Sequence, residues 1–173
     1  MSPSAQQMSE NLAMDADINL DAIDRRILLA LQAQGRSTYD ELAAGVGLSA
    51  SATLRRVKRL EDSGVIAGYV ALVAPERVGL GLTAYINVRL TKHTALDQRS
   101  PMETFTAAVQ AWPEVVECAA LTGEMDYLLR VLVRDMGHFS RFLMDSLLKH
   151  PAVQDCKTSF MLRRLKGTTA VPL

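Results

Sequence analysis

Residues 38–64, TYDELAAGVGLSASATLRRVKRLEDSG, decide the fold. Thr38 followed three places on by Glu41 is a capping box, in which each side chain answers the other residue's backbone N–H. It opens a short helix with Leu42 and Val46 turned inward, and Gly47 stops it. Ser49 caps a further helix with Leu54, Val57 and Leu60 inward, closed by Gly64. Two short helices about a glycine turn are the core of a helix-turn-helix. The outward positions of the second helix collect Ser49, Ser51, Thr53, Arg55, Arg56, Lys58 and Arg59. Small hydroxyl residues in the first turn suit close approach to base edges, and the cations behind them suit phosphates. A run of cations on a helix is more often just a solvated face, here paired with Glu61 and Asp62. The three-helix frame shifts the balance towards DNA, with all seven residues expected to contact it.

Working outward, Asp21 caps a preceding helix whose Ile23, Ile27, Leu28 and Leu31 share one face and which ends at Gly35. Residues 1–19 show no periodicity and are expected to be a flexible tail. The helix-turn-helix domain is therefore expected over 20–64. Residues 65–73 are rich in β-formers and lead to Pro75, Gly79 and Gly81, so a linking strand and hinge are expected over 65–81.

From residue 82 the pattern changes. Ala84, Ile86, Val88 and Leu90 alternate with Tyr85, Asn87 and Arg89, the period of a strand buried on one face. Ser100, Pro101 and Glu103 open a helix carrying Met102, Phe105, Val109 and Trp112. Two apolar strands, 115–121 and 127–133, flank the tight segment 122–126. Asp135 caps a helix with Phe139, Phe142, Leu143 and Leu147 at core spacing, and a last strand is expected over 153–162. The order βαββαβ predicts a ferredoxin-like (ACT-like) domain over 82–173, with both helices on one sheet face. The fold class is α+β. The open sheet face favours a homo-oligomer.

Composition sets limits. Hydrophobic residues make up 49% of the chain and charged ones 22%, which excludes general disorder. Nineteen cations balance nineteen carboxylates, so any nucleic-acid patch must be local. No stretch has the length of a membrane span or the layout of a signal peptide, and a cytoplasmic protein with no membrane partner is expected. Cys118 and Cys156 are expected to be reduced thiols that act as small buried hydrophobes. His93, His138 and His150 have no metal-ligand spacing and no partnered nucleophile, and no phosphate loop is present, so neither enzyme, metal nor cofactor is expected.

Three groups of residues carry a resemblance: Leu20, Asp21, Asp24, Ile27, Leu28, Leu31, Gly35 and Arg36; Gly47, Leu48, Ser49, Arg56, Leu60, Gly64, Val65 and Ile66; and Thr122, Gly123, Asp126, Tyr127, Leu128 and Leu129. Over 20–173 the chain resembles the Lrp/AsnC, or leucine-responsive and feast-famine, transcriptional regulators of prokaryotes. Its close, Lys166, Thr168, Thr169, Ala170, Pro172 and Leu173, resembles the branch that regulates amino-acid catabolism and detoxification. It departs from the family at Ala50 and Ala52, where many relatives carry proline, and at Glu124 and Met125, where aspartate and an aromatic are common.

The resemblance implies dimers formed through the second domain and assembling towards octamers on double-stranded DNA. It also implies a free amino acid as effector, bound between subunits near Thr122, Gly123, Glu124, Met125, Asp126 and Tyr127. Gly123 would permit backbone amides to meet a carboxylate, and Asp126 offers an anion to an ammonium. A hairpin turn needs the same two residues for geometry alone. Met136, Leu148 and Phe160 could wall the effector, although residues at such spacing are more often plain packing. Two other readings compete: an architectural DNA-bending protein with no effector, and a ligand-binding regulatory subunit of an enzyme.

Overall fold

A computed structural model of the chain describes residues 19–92 and 100–173. The tail expected over 1–19 lies outside the described residues except for its last residue, and so does His93. The chain forms two units, Met1–Ala71 with Gly167–Leu173, and Leu72–Lys166.

The first unit is built on three helices: α1 (Ala22–Ala33), α2 (Tyr39–Val46) and α3 (Ala50–Asp62). Asp21 and Asp24 exchange side-chain bonds with each other's N–H groups, at 2.8 and 3.2 Å, and Thr38 and Glu41 do the same at the head of α2. Each box satisfies two donors that a helix start would leave orphaned. Gly47 ends α2 in the left-handed region at φ 75°, where a Cβ would be strained, and so allows the tight turn into α3. Ile27, Leu28, Leu42, Val46, Val57 and Leu60 form the core, and burying each such side chain is worth about 1.5–3 kcal/mol.

Two expectations for this unit need correction. Thr53, not Leu54, is the inward residue of the first turns of α3, and its hydroxyl donates to the Ser49 carbonyl at 3.0 Å. Thr53, Val57 and Leu60 make the i, i+4, i+7 stripe of a helix, and the local hydroxyl bond makes a buried threonine tolerable. Residues 65–73 form no strand. Strand propensity becomes a strand only when a neighbour accepts the ladder, and here Val70, Leu72 and Val73 stay exposed.

At the near end of that linker, Tyr69 donates its hydroxyl to Glu61 at 2.9 Å. Loss of water around the phenol, then the Glu61 carboxylate, pushes Tyr69 up to about 12. A raised folded-state value means the stabilisation is complete below the ordinary value of 10.0 and is lost as pH rises towards about 12. In an ultraviolet titration one tyrosine should ionise late, and Tyr69→Phe should delete that late step. A titration in which all four tyrosines ionise together would remove the Tyr69–Glu61 anchor.

The second unit begins with a 3-10 turn at Pro75–Val78 and continues as β1 (Leu82–Leu90), α4 (Pro101–Val109), β2 (Val115–Ala120), β3 (Tyr127–Val133), α5 (Met136–Phe142) and β4 (Val153–Phe160). The four strands form an antiparallel sheet in the order β2-β3-β1-β4, the ferredoxin-like arrangement. Register sets Ile86 beside Leu129 and Ala84 beside Val131, and these side chains are buried with Phe105, Val109, Phe139 and Phe142. On the opposite face, Tyr85, Asn87, Arg89, Leu128, Arg130 and Leu132 are only partly covered. A π-helical turn, Leu143–Leu147, follows α5 and brings Leu147 into the core five residues after Phe142. The tail Gly167–Leu173, expected to close this domain, belongs to the first unit instead.

Candidate functional site

The two cation pairs of α3 have different fates. Arg56 reaches back to α1, with Nη1 2.7 Å from Asp21 and 2.8 Å from Asp24. Arg59 pairs with the other oxygen of Asp24, whose side chain is 1% exposed. A buried carboxylate needs such compensation, because an unpaired charge in a low-dielectric site is costly. Arg56 and Arg59 therefore both help hold α3 on α1, although Arg59 remains 52% exposed, and the bonds to Asp21 and Asp24 raise the pKa of Arg56. Arg55 and Lys58 are exposed and enter no ion pair among the described residues.

Ser51 stands exposed in the first turn. Ser49 is the cap: its hydroxyl oxygen accepts from the Ala52 N–H at 3.3 Å and lies 3.2 Å from the Ser51 hydroxyl. Thr53 is 0% exposed, which removes it from any surface contact. Half-covered Leu54, expected to face inward, instead lines one shallow groove with Ser51, Arg55 and Lys58, and Arg56, Arg59, Asp62 and Ser63 line the same groove. Residues 20–67 hold seven cations against six carboxylates, so the positive surface comes from how these groups are placed and not from their number. The α3 N-terminus adds partial positive charge at the same end.

In the second unit the turn at 122–126 is stitched to β1. The Asp126 N–H donates to the Val88 carbonyl at 2.9 Å, and an Asp126 carboxylate oxygen accepts from the Leu90 N–H at 2.6 Å. Arg89, on the open sheet face, donates Nε–H to the Glu124 carbonyl at 3.0 Å, with Nη2 3.9 Å from the Met125 sulfur. Gly123 has φ 117°, and no atom lies within 4 Å of where a Cβ would stand, so conformation and not space demands glycine. Gly123→Ala should cost about 1 kcal/mol or more of this unit's stability in a urea melt. A neutral result would mean that the turn can relax.

Beside this turn lies a hollow of about 860 Å³. Of the expected effector residues, Gly123, Glu124, Asp126 and Tyr127 line it. Thr122 and Met125 are not among the lining residues, and Met136, 56% exposed at the start of α5, is not either. Phe160 packs edge-on to Phe139 at 4.9 Å as a core residue, and Leu148 is exposed elsewhere. Arg89, Leu90, Thr91, Lys92, Pro101, Met102 and Gln154 complete the wall. Arg89, Leu90, Pro101 and Met102 were placed on their strand and helix by the sequence, but with no sign that they meet here. Only the tertiary fold brings those elements together.

Cys118 and Cys156 are free but not buried as expected: they lie on β2 and β4, the two edges of the sheet, where Cys118 is exposed and Cys156 half-buried. Desolvation raises both thiols, with Asp155 adding to it at Cys156, so neither is a ready thiolate at neutral pH. His138 bonds to Glu114 at 3.1 Å. His150 stacks edge-on to Phe105 and Trp112. Among the described residues no cluster of His, Cys, Asp and Glu is placed to hold a metal ion, and no helix is long and apolar enough to cross a membrane.

Comparison with known proteins gives two family matches. Residues 20–67 match a winged helix-turn-helix DNA-binding model, and residues 83–171 match the Lrp/AsnC ligand-binding domain. The leucine-responsive regulatory protein of Haemophilus influenzae is 39% identical, over 89% of this chain and 90% of its own length. The DNA-binding transcriptional activator DecR of Escherichia coli is 36% identical, over 89% of this chain and 99% of its own. A transcriptional regulator of Neisseria meningitidis, solved with L-methionine, is 48% identical, with a TM-score of 0.84 over 88% of this chain and 96% of its own.

Proposed function

The chain belongs to the Lrp/AsnC family of DNA-binding transcriptional regulators, and from that premise we propose that it is a sequence-specific regulator whose operator is read by α3 and whose second unit takes a free amino acid. The observation that carries the DNA half is the division of labour on α3: Arg56 and Arg59 are ion-paired to the Asp21–Asp24 anchor, while Arg55 and Lys58, which share a groove with them, Ser51 and Leu54, make no ion pair among the described residues. Ser51 and Leu54 read base edges, Leu54 suiting a thymine methyl, and Arg55 and Lys58 grip phosphates.

The amino acid sits in the hollow beside the 122–126 turn. Asp126 meets the ammonium, the backbone about Gly123 and Glu124 meets the carboxylate, and Met102 and Tyr127 lie against the side chain. L-Methionine is the first candidate, because its thioether suits a wall containing a tyrosine ring and because the Neisseria meningitidis regulator was solved with it. The partly covered sheet face bearing Leu128, Leu132 and Tyr85 is where a second copy packs, giving a dimer and from dimers an octamer. The regulator works in the cytoplasm, where DNA and free amino acids are both at hand.

The test is a thermal-shift screen of the twenty amino acids on the purified protein. A ligand at a hundredfold excess over its Kd adds about 2.7 kcal/mol and raises Tm. No shift with any amino acid leaves an effector-free, architectural DNA binder. Asp126→Asn can keep the bond to the Leu90 N–H but loses the charge, so it should fold normally and lose the shift. Asp126→Ala should in addition lose about 1 kcal/mol without ligand. A full methionine shift in Asp126→Asn would exclude this carboxylate as the ammonium partner.

A further inference from the structure

The C-terminal residues Gly167–Leu173 return to the first unit, so the chain joins its two units twice, once after Ala71 and again after Lys166. The contact that holds the return is specific. The Gln32 side-chain amide donates Nε2–H to the Val171 carbonyl at 3.2 Å and accepts the Val171 N–H on Oε1 at 2.5 Å. One amide that meets both main-chain groups of one residue reads extended backbone as a neighbouring strand would. Pro172 holds the preceding Val171 in extended geometry, with its N–H and C=O presented for this reading. Thr168 fixes the approach by accepting the Ala170 N–H at 3.0 Å. Leu29, one turn before Gln32 on α1, is a large exposed apolar residue on the same face. No charged side chain occurs after Lys166, so the segment suits this polar-apolar strip.

We propose that the face of α1 bearing Leu29 and Gln32 is a docking surface for the chain's own C-terminal heptapeptide, which acts as a second tether on the DNA-reading unit. Two exposed hydrogen bonds would hold a free peptide poorly, but covalent attachment keeps the tail at high effective concentration beside its site. The DNA-reading role of α3 is taken from the function proposed above. A unit joined by one hinge must be ordered each time two copies meet two half-sites, whereas a doubly joined unit is ordered beforehand.

The experiment compares the full chain with Gln32→Ala and with a chain ending at Lys166. Alanine raises helix propensity at position 32, so a loss of α1 would not explain the result. Hydrogen exchange should show the Val171 N–H at least tenfold more protected in the wild type than in Gln32→Ala. On a palindromic duplex selected in vitro by the wild-type protein, both variants should bind about five- to tenfold more weakly. On the same duplex with one half-site scrambled, they should match the wild type within twofold. Equal exchange at Val171 in both proteins overturns the docking. Protected Val171 with equal affinities on the intact duplex, or equal losses on both duplexes, overturns the tether. If the wild type selects no duplex, the DNA-reading function fails while Val171 exchange still decides the docking.

Discussion

Arg56→Ala should destabilise the three-helix unit by about 2 kcal/mol and leave the salt dependence of DNA binding almost unchanged. Removing one partner from a buried ion pair typically costs about 3–5 kcal/mol, because the remaining charge keeps its burial and loses its compensation. Asp24 retains Arg59 on its other oxygen, which places the expected loss at the lower end. The side chain of Arg56 is 26% exposed, so solvent replaces part of what is lost. Both bonds come from one nitrogen, Nη1, so an ammonium can in principle meet both carboxylates, but the shorter lysine stem places it less well, and Arg56→Lys should recover only part of the stability. The sole tryptophan, Trp112, lies in the other unit, so far-ultraviolet circular dichroism in urea is the proper readout.

The same anchor sets an acid limit. The Asp24 N–H first, and then the Arg56 guanidinium, hold Asp21 below its ordinary 3.8. A depressed folded-state value gives stabilisation that is complete above about 3.8 and fades as pH falls through the lower, folded value. In Arg56→Ala part of that acid dependence should disappear. A variant as stable as the wild type, with a weaker salt slope on DNA, would return Arg56 to the phosphate contacts and refute the anchor.

What the sequence made legible was local. The Asp21 cap, the capping boxes at Thr38 and Ser100, the Gly47 turn and the alternation in β1 each depend on neighbours within a few residues, and each forms as expected. What it hid depends on distant partners. The Arg56–Asp24 pair spans 32 positions, and although both residues belong to the motifs that carry the resemblance, their residue types alone do not reveal that they meet. Helix phase is similarly weak over so short an element: Leu54, Val57 and Leu60 make almost as good a stripe as Thr53, Val57 and Leu60, and hydrophobicity alone prefers leucine. Packing against the other helices turns Thr53 inward, and its hydroxyl bond to Ser49 makes that burial tolerable. Residues 65–73 failed as a strand for want of a partner, and the five-residue step from Phe142 to Leu147 follows a π turn that no 3.6-residue pattern reveals. The effector residues were found only as far as the turn itself, since Met102, Lys92 and Gln154 reach the hollow from three separate elements.

Reversing both free cations of α3 should have the larger effect on function. Arg55→Glu with Lys58→Glu removes two phosphate contacts per subunit, four in a dimer across two half-sites. Each contact contributes about 0.9 to the slope of log affinity against log salt, so the slope should fall by about 3.6. At about 0.1 M salt the same contacts are worth about 0.9 log units each, and the dimer should lose at least a thousandfold in affinity for every duplex tested. Neither side chain supports the fold, so stability should stay within about 0.5 kcal/mol of wild type. Ser51→Ala should instead change the ranking among duplexes and leave the slope untouched, because a base-edge contact releases no counterions. Retention of DNA affinity by the doubly reversed protein would mean that α3 does not lie against a phosphate backbone. The outward face of that helix would then have to be assigned to a protein partner.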